Sequence, residues 1–145
     1  MEKKFILREM EVKYKSFKKV KSLKFSTPSA IYEIMKELKV EGREVFVVFY
    51  LNSSNEIIAF RKEFTGTVDQ AVIYPREVAK HSLLNDATRV IFVHNHPSGN
   101  CKPSEHDIEI TNKLKSGLEL LDIEVLDHII IGNSNFHSFR EHGTL

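Results

Sequence analysis

With 145 residues, 41% apolar and 28% charged, the chain has ordinary globular composition and a length suited to one domain with one core. No apolar run approaches the roughly 20 residues a bilayer span requires, the first fifteen residues lack the apolar core and cleavage site of a signal peptide, and the single Cys101 cannot form an internal disulfide. These features argue against a membrane or secreted protein and lead to the expectation of a cytoplasmic one.

The net charge of +1 hides a skew, because residues 1–24 carry nine Lys or Arg against three Glu, a local +6. The expected organisation is a basic, extended segment over 1–27 packed on or beside a domain over 28–145. The basic segment reads either as a phosphate-contacting arm or as a solvated edge whose lysines block strand pairing. Within it, KFILREMEV at 4–12 is the most strand-like stretch.

Ser26, Thr27 and Pro28 start a helix with Ile31, Ile34, Met35 and Leu38 on its apolar face, ended by Glu41-Gly42. Residues 44–51, EVFVVFYL, form a buried strand. The turn N-S-S-N at 52–55 leads into a second strand over 56–64, which Gly66 breaks or bulges. A short apolar piece, Ala71-Val72-Ile73, precedes Pro75, which opens a helix over about 76–86. A central strand, RVIFVH, covers 89–94. Pro103 and Ser104 start a long helix to about 119 with Ser104 as N-cap, and strands follow at 126–131 and 135–140. This order predicts an α/β or α+β domain of three layers, without repeats or a coiled coil.

The chemistry concentrates in HNHPSGNCKPSEHD at 94–107. His94 and His96 lie two apart at a strand end, so their side chains share a face and can reach one ion. The Pro/Ser/Gly loop turns the chain so that Asp107, in the first turn of the next helix, returns toward them. Two histidines and a carboxylate bind zinc with one position open to water, the arrangement hydrolysis uses. Each piece also has a structural explanation. Strand-end histidines bond to backbone, Ser104 and Asp107 make a helix cap, and Pro97-Ser98-Gly99 is ordinary turn chemistry.

The segment closely resembles the RadC-type branch of the JAB/MPN/JAMM domains, in letters and in spacing. Supporting pieces are EVFVVFYLN from Glu44, the GT at 66–67, YPREV at 74–78, ITNKL at 110–114, LDHIIIG at 126–132 and HSFREHG at 137–143. The resemblance implies a JAB/MPN-like, cytidine deaminase-like domain with a mixed, curved sheet flanked by helices. It implies zinc, one per chain, on His94, His96 and Asp107, Glu44 as general base, and Ser104 beside the metal water stabilising the tetrahedral intermediate. Independently of the resemblance, Glu44 opens a strongly apolar strand, where a carboxylate is costly without a partner. The competing view is a solvated strand start.

The expected activity is zinc-dependent hydrolysis of an amide in a peptide or protein substrate, by a peptidase or isopeptidase. The rival is a non-catalytic or nucleic-acid-binding RadC-like module of DNA repair or mobile elements, using Lys13, Lys15, Lys18, Lys19, Lys21 and Lys24. Longer RadC proteins carry an N-terminal helix-hairpin-helix-like domain for which this chain has no room, and bacterial origin follows from the resemblance alone. A homodimer through an open edge strand remains compatible with the pattern. Among secondary candidates, Asn95 and Ser98 either orient the loop or satisfy its backbone. His128 reads as an outer partner of a ligand or as half of a buried structural pair with Asp127. Cys101 is a rival ligand to Asp107, His106 is expected to face away from the ion, and His81 and His142 are expected on the surface.

Overall fold

The computed structural model describes residues 6–15, 23–36, 42–66 and 72–145. The element order is α1 (Pro28–Met35), β1 (Glu44–Leu51), β2 (Ile57–Gly66), α2 (Pro75–Leu84), β3 (Arg89–Asn95), α3 (Glu105–Glu119), β4 (Glu124–Ile131) and β5 (Phe136–Ser138). The five strands form one mixed sheet in the order β2-β1-β3-β4-β5. Only β3 and β4 run parallel, joined by the crossover through α3, and the other neighbours are antiparallel.

The apolar runs of β1 and β3 are continuous because the sheet is covered on both faces, so every β1 residue is buried. Strand alternation then sorts the core. Val45, Val47, Phe49 and Leu51 join Ile91, Val93 and Ile129 under Ile31 and Met35 of α1. Phe46, Val48 and Tyr50 join Val90 and Phe92 under Val78 and Ala79 of α2 and Leu114 and Leu118 of α3. The result is three layers, with α1 on one face of the sheet and α2 with α3 on the other.

Several sequence expectations are corrected. Residues 6–15 of the basic arm form no strand, and Ile6, Leu7 and Met10 stand exposed, since among the described residues no ladder pairs with their backbone. Lys18, Lys19, Lys21 and Leu38 lie outside the described residues. Of the two outcomes expected at Gly66, it ends β2 opposite Glu44 rather than bulging it, and the register shifts fall between Phe46 and Val47, where Glu63 is the extra residue of β2, and between Tyr50 and Leu51, where Ile58 is. Tyr50 donates to the Glu63 carboxylate at 2.8 Å, giving that residue a buried partner. β4 starts two residues earlier than expected, at Glu124, and β5 shrinks to Phe136–Ser138. His81 is half-buried, 3.2 Å from Glu63, rather than on the surface. Among the described residues, no helix is long and apolar enough to cross a membrane.

One irregularity matters for the site. Val90 pairs with Val125 but Ile91 pairs with Asp127, so Leu126 is an extra residue in β4. A one-residue bulge reverses the inside-outside phase beyond it. It turns His128, opposite Phe92, toward the α3 face, where the metal-type residues gather.

Candidate metal centre

The strand register builds the site. Phe46 lies opposite His94 in the β1–β3 ladder. Glu44, two residues earlier on the same face of β1, therefore leans over the end of β3 near His94. The β3–β4 ladder continues one step beyond β3, since His96 N–H donates to Ile131 O at 3.0 Å. A tight turn follows, closed by Gly99 N–H to His96 O at 2.9 Å. Gly99 has φ +85°, and a Cβ there would strike the Asn133 side chain, so glycine suits this loop.

The loop delivers the start of α3. Ser104 Oγ accepts from Asp107 N–H at 3.1 Å, and Asp107 Oδ2 accepts from Ser104 N–H at 2.8 Å. This reciprocal capping box fixes the Asp107 carboxylate rotamer while satisfying two helix-end donors. The cap does not draw Asp107 away from the histidines, because its carboxylate oxygens still face them. Its Oδ1 lies 3.2 Å from His94 Nε2 and its Oδ2 lies 3.1 Å from His96 Nε2. The two histidine Nε2 atoms are 3.0 Å apart.

Among the described residues, His94, His96 and Asp107 are the group whose ligand atoms converge as a metal site would require. The donor set fits zinc. Bonds of about 2.0–2.1 Å in a tetrahedron separate neighbouring ligand atoms by about 3.3 Å, close to the spacings found here. His96 Nδ1 faces the Asn100 carbonyl at 2.7 Å, which can only accept, so Nδ1 carries the proton and Nε2 presents toward the triad. Among the described residues, a buried carboxylate oxygen, Glu44 Oε2, has no hydrogen-bond partner, while Glu44 Oε1 lies 3.9 Å from His94 Nε2. An orphaned acceptor at the edge of such a triad is the kind of group that a metal-held water satisfies.

The electrostatics follow. Burial pushes the Glu44 carboxyl up, against the pull of His94 and His96. Burial also pushes Asp107 up, but hydrogen bonding to His94 and His96 outweighs it and holds Asp107 far below the usual carboxylate range. His96 is lowered by burial and raised further by its bond to Asp107, ending above its ordinary value. Two carboxyls in one site thus separate into one held ionised and one poised to take a proton.

Asn95 holds Glu44 from behind. Its Oδ1 accepts from Val45 N–H at 2.7 Å and its Nδ2 donates to Arg43 O at 2.9 Å, bracketing residue 44 on both sides. Ser98 Oγ accepts from Asn100 N–H at 3.4 Å, a turn contact. Glu44, His96, Pro97, Ser98, Ser104, His106 and Asp107 line a cleft of about 540 Å³. His106 is exposed and stands on the cleft wall rather than turning away. Cys101 is not part of the triad and stays a free, half-buried thiol.

Asp127 and His128 are both fully buried but do not form a side-chain pair. Asp127 accepts from Ser138 Oγ at 2.6 Å and from the backbone N–H groups of His128 and Arg140 at 2.7 and 3.0 Å. His128 Nε2 instead contacts His94 Nδ1 at 2.7 Å, and His128 Nδ1 contacts Thr111 Oγ1 at 2.6 Å. Burial holds His128 well below its ordinary pKa, so it is neutral. Thr111 was not singled out in the sequence, where a threonine on an amphipathic helix carries no distinguishing signal.

Comparison with known proteins agrees with this geometry. Residues 25–144 match the family model described as the RadC-like JAB domain. A UPF0758 protein of Pseudoalteromonas translucida (strain TAC 125) is 49% identical over 123 residues, covering 83% of this chain and 54% of that protein. Its counterpart in Cellvibrio japonicus (strain Ueda107) is 45% identical over 121 residues, with 83% and 54% covered. The chain spans about half the length of the curated relatives it matches.

Proposed function

The chain belongs to the RadC-like JAB domain family, and from that premise we propose that it is a zinc-dependent peptidase or isopeptidase, with His94, His96 and Asp107 holding one zinc ion. The observation that carries this reading is the buried Glu44 oxygen without a partner beside the His-His-Asp triad. A purely structural ion site has no need of an uncompensated carboxylate, whereas hydrolysis needs a base within reach of water.

Zinc bound there would acidify a water molecule and polarise a carbonyl. The chain's residues would do the rest. Glu44, raised by burial, takes the proton from the attacking water and returns it to the leaving amine. Asp107, held ionised, keeps its charge throughout. Ser104 Oγ already accepts from Asp107 N–H, so its own hydroxyl proton is left to donate to the developing oxyanion. The substrate would enter by the cleft that Ser104 and His106 line beside Glu44. No covalent intermediate is required.

The substrate class is a peptide or protein in the cytoplasm. The rival, salt-sensitive DNA binding through Lys13, Lys15 and Lys24 with or without dimerisation, is favoured by the local charge of the arm alone. Zinc-loaded protein incubated with peptide and isopeptide libraries tests the proposal. Cleavage that disappears in Glu44→Ala while zinc stays bound supports it, and cleavage that survives in Glu44→Ala overturns it.

A further inference from the structure

The contacts behind His94 form a chain that leads from one ligand of the triad to another. His94 Nδ1 meets His128 Nε2, His128 Nδ1 meets Thr111 Oγ1, and Thr111 Oγ1 meets the Asp107 carbonyl oxygen one helical turn back. The direction of every proton in this chain follows from its last member. A carbonyl oxygen can only accept, so the single Thr111 hydroxyl proton goes to Asp107 O. Thr111 Oγ1 must then accept from His128, which places the His128 proton on Nδ1. His128 Nε2 is left with a lone pair and accepts from His94 Nδ1–H. With Nδ1–H committed to His128, neutral His94 keeps its Nε2 lone pair for the triad; a proton on Nε2, where the Asp107 carboxylate lies at 3.2 Å, is then a second proton that a metal ion replaces.

The reverse arrangement has a definite cost. If Thr111 donated to His128, the Asp107 carbonyl would lose its hydroxyl donor and His128 would carry its proton on Nε2. His94 would then accept at Nδ1 and point an N–H into the triad, where it could not bind a cation. We infer that His128 is a positioning residue: with Thr111 it fixes His94 in the one tautomer able to ligate a metal. The inference rests on the reading of the triad as a metal centre. It also explains the bulge at Leu126, since without that extra residue His128 would face the α1 side of the sheet.

Rigidity supports the assignment. His128 has no solvent exposure, stacks on Phe139 with ring centroids 4.8 Å apart, and meets Phe46 and Phe92 edge-on. The ring is thus closed off from solvent and packed among three aromatic neighbours. Because the outer acceptor is a neutral imidazole rather than a carboxylate, it orients His94 without placing a second negative charge behind the ion.

Proton positions can be read directly by two-bond ¹H–¹⁵N correlation on metal-free, histidine-labelled protein. The expected spectrum shows His94 and His128 each protonated on Nδ1, with His128 Nε2 bare. A proton on His128 Nε2 overturns the inference. The isosteric Thr111→Val removes the acceptor for His128 and should weaken zinc binding about tenfold at an unchanged capacity of one ion per chain. Unchanged affinity and unchanged proton positions in that variant also overturn it. Wild-type protein that shows the expected protons but binds no zinc would defeat the metal-centre reading and leave the proton chain standing. Reversed protons in a zinc-binding protein would defeat the proton chain alone.

Discussion

Glu44→Gln should stabilise the metal-free protein. Glutamine keeps the shape of the side chain and removes its charge. Glu44 is 7% exposed, its Oε2 has no partner, and burial raises its pKa from an ordinary value of 4.5. A buried unsatisfied polar group costs about 1–3 kcal/mol, and more when charged. Attraction to His94 and His96 returns part of that, which leaves a gain for Glu44→Gln of about 1–2 kcal/mol at neutral pH, or roughly 3–7 °C in Tm for a chain of this size. The sign of the pH dependence is fixed by the direction of the shift. A carboxyl whose folded pKa lies above its unfolded value loses stability as pH rises from 4.5 through the raised value. The advantage of the glutamine variant should thus be full above that range and fade as pH falls toward 4.5. Thermal unfolding of both proteins across pH, with chelator present, measures it. Saturating zinc should narrow the gap, because ionised Glu44 then faces a cation. A metal-free Glu44→Gln that is less stable than wild type at neutral pH would refute the account of Glu44 as an uncompensated base.

Asn95→Ala removes both bonds that bracket Glu44 and leaves Val45 N–H and Arg43 O without them. It should cost about 2–4 kcal/mol in urea unfolding. It should also lower turnover more than zinc affinity, since it loosens the base rather than the ligands; equal losses of both would contradict that assignment. Zinc affinity should climb with pH, because His96 is raised above 6.5 in the metal-free protein and its proton must leave before metal binds. The same shift means that stability from the His96–Asp107 pair is present below 6.5 and lost as pH rises through the raised value. Chelator competition between about pH 6 and 8 should show a gain approaching tenfold per pH unit for one proton released, and a flat profile would argue that His96 is already deprotonated.

The site was legible where the chemistry is local. His94, His96, Ser104 and Asp107 fall in one stretch of fourteen residues, and the turn and cap that fold it are written in Pro97, Gly99 and Ser104. The buried strands β1 and β3 were equally plain, since apolar runs of that length suit a sheet covered on both faces. Long-range features were not legible. Asp127 and His128 read as a pair because they are adjacent, but successive strand residues face opposite ways, and the bulge at Leu126 decides which of them meets His94. Thr111 is identified only by what lies across the α3–β4 interface. The alternation in KFILREMEV suggested a strand, but a strand exists only where a partner ladder is available, and among the described residues none pairs with 6–15.

The most direct test of the central claim is the metal content of protein purified without chelator, compared with His94→Ala and Asp107→Ala. The account predicts about one zinc per wild-type chain and none in either variant, with both variants still folded by circular dichroism. Wild-type protein that carries no metal and takes up no zinc on reconstitution, or variants that bind it as well as wild type, would contradict the claim.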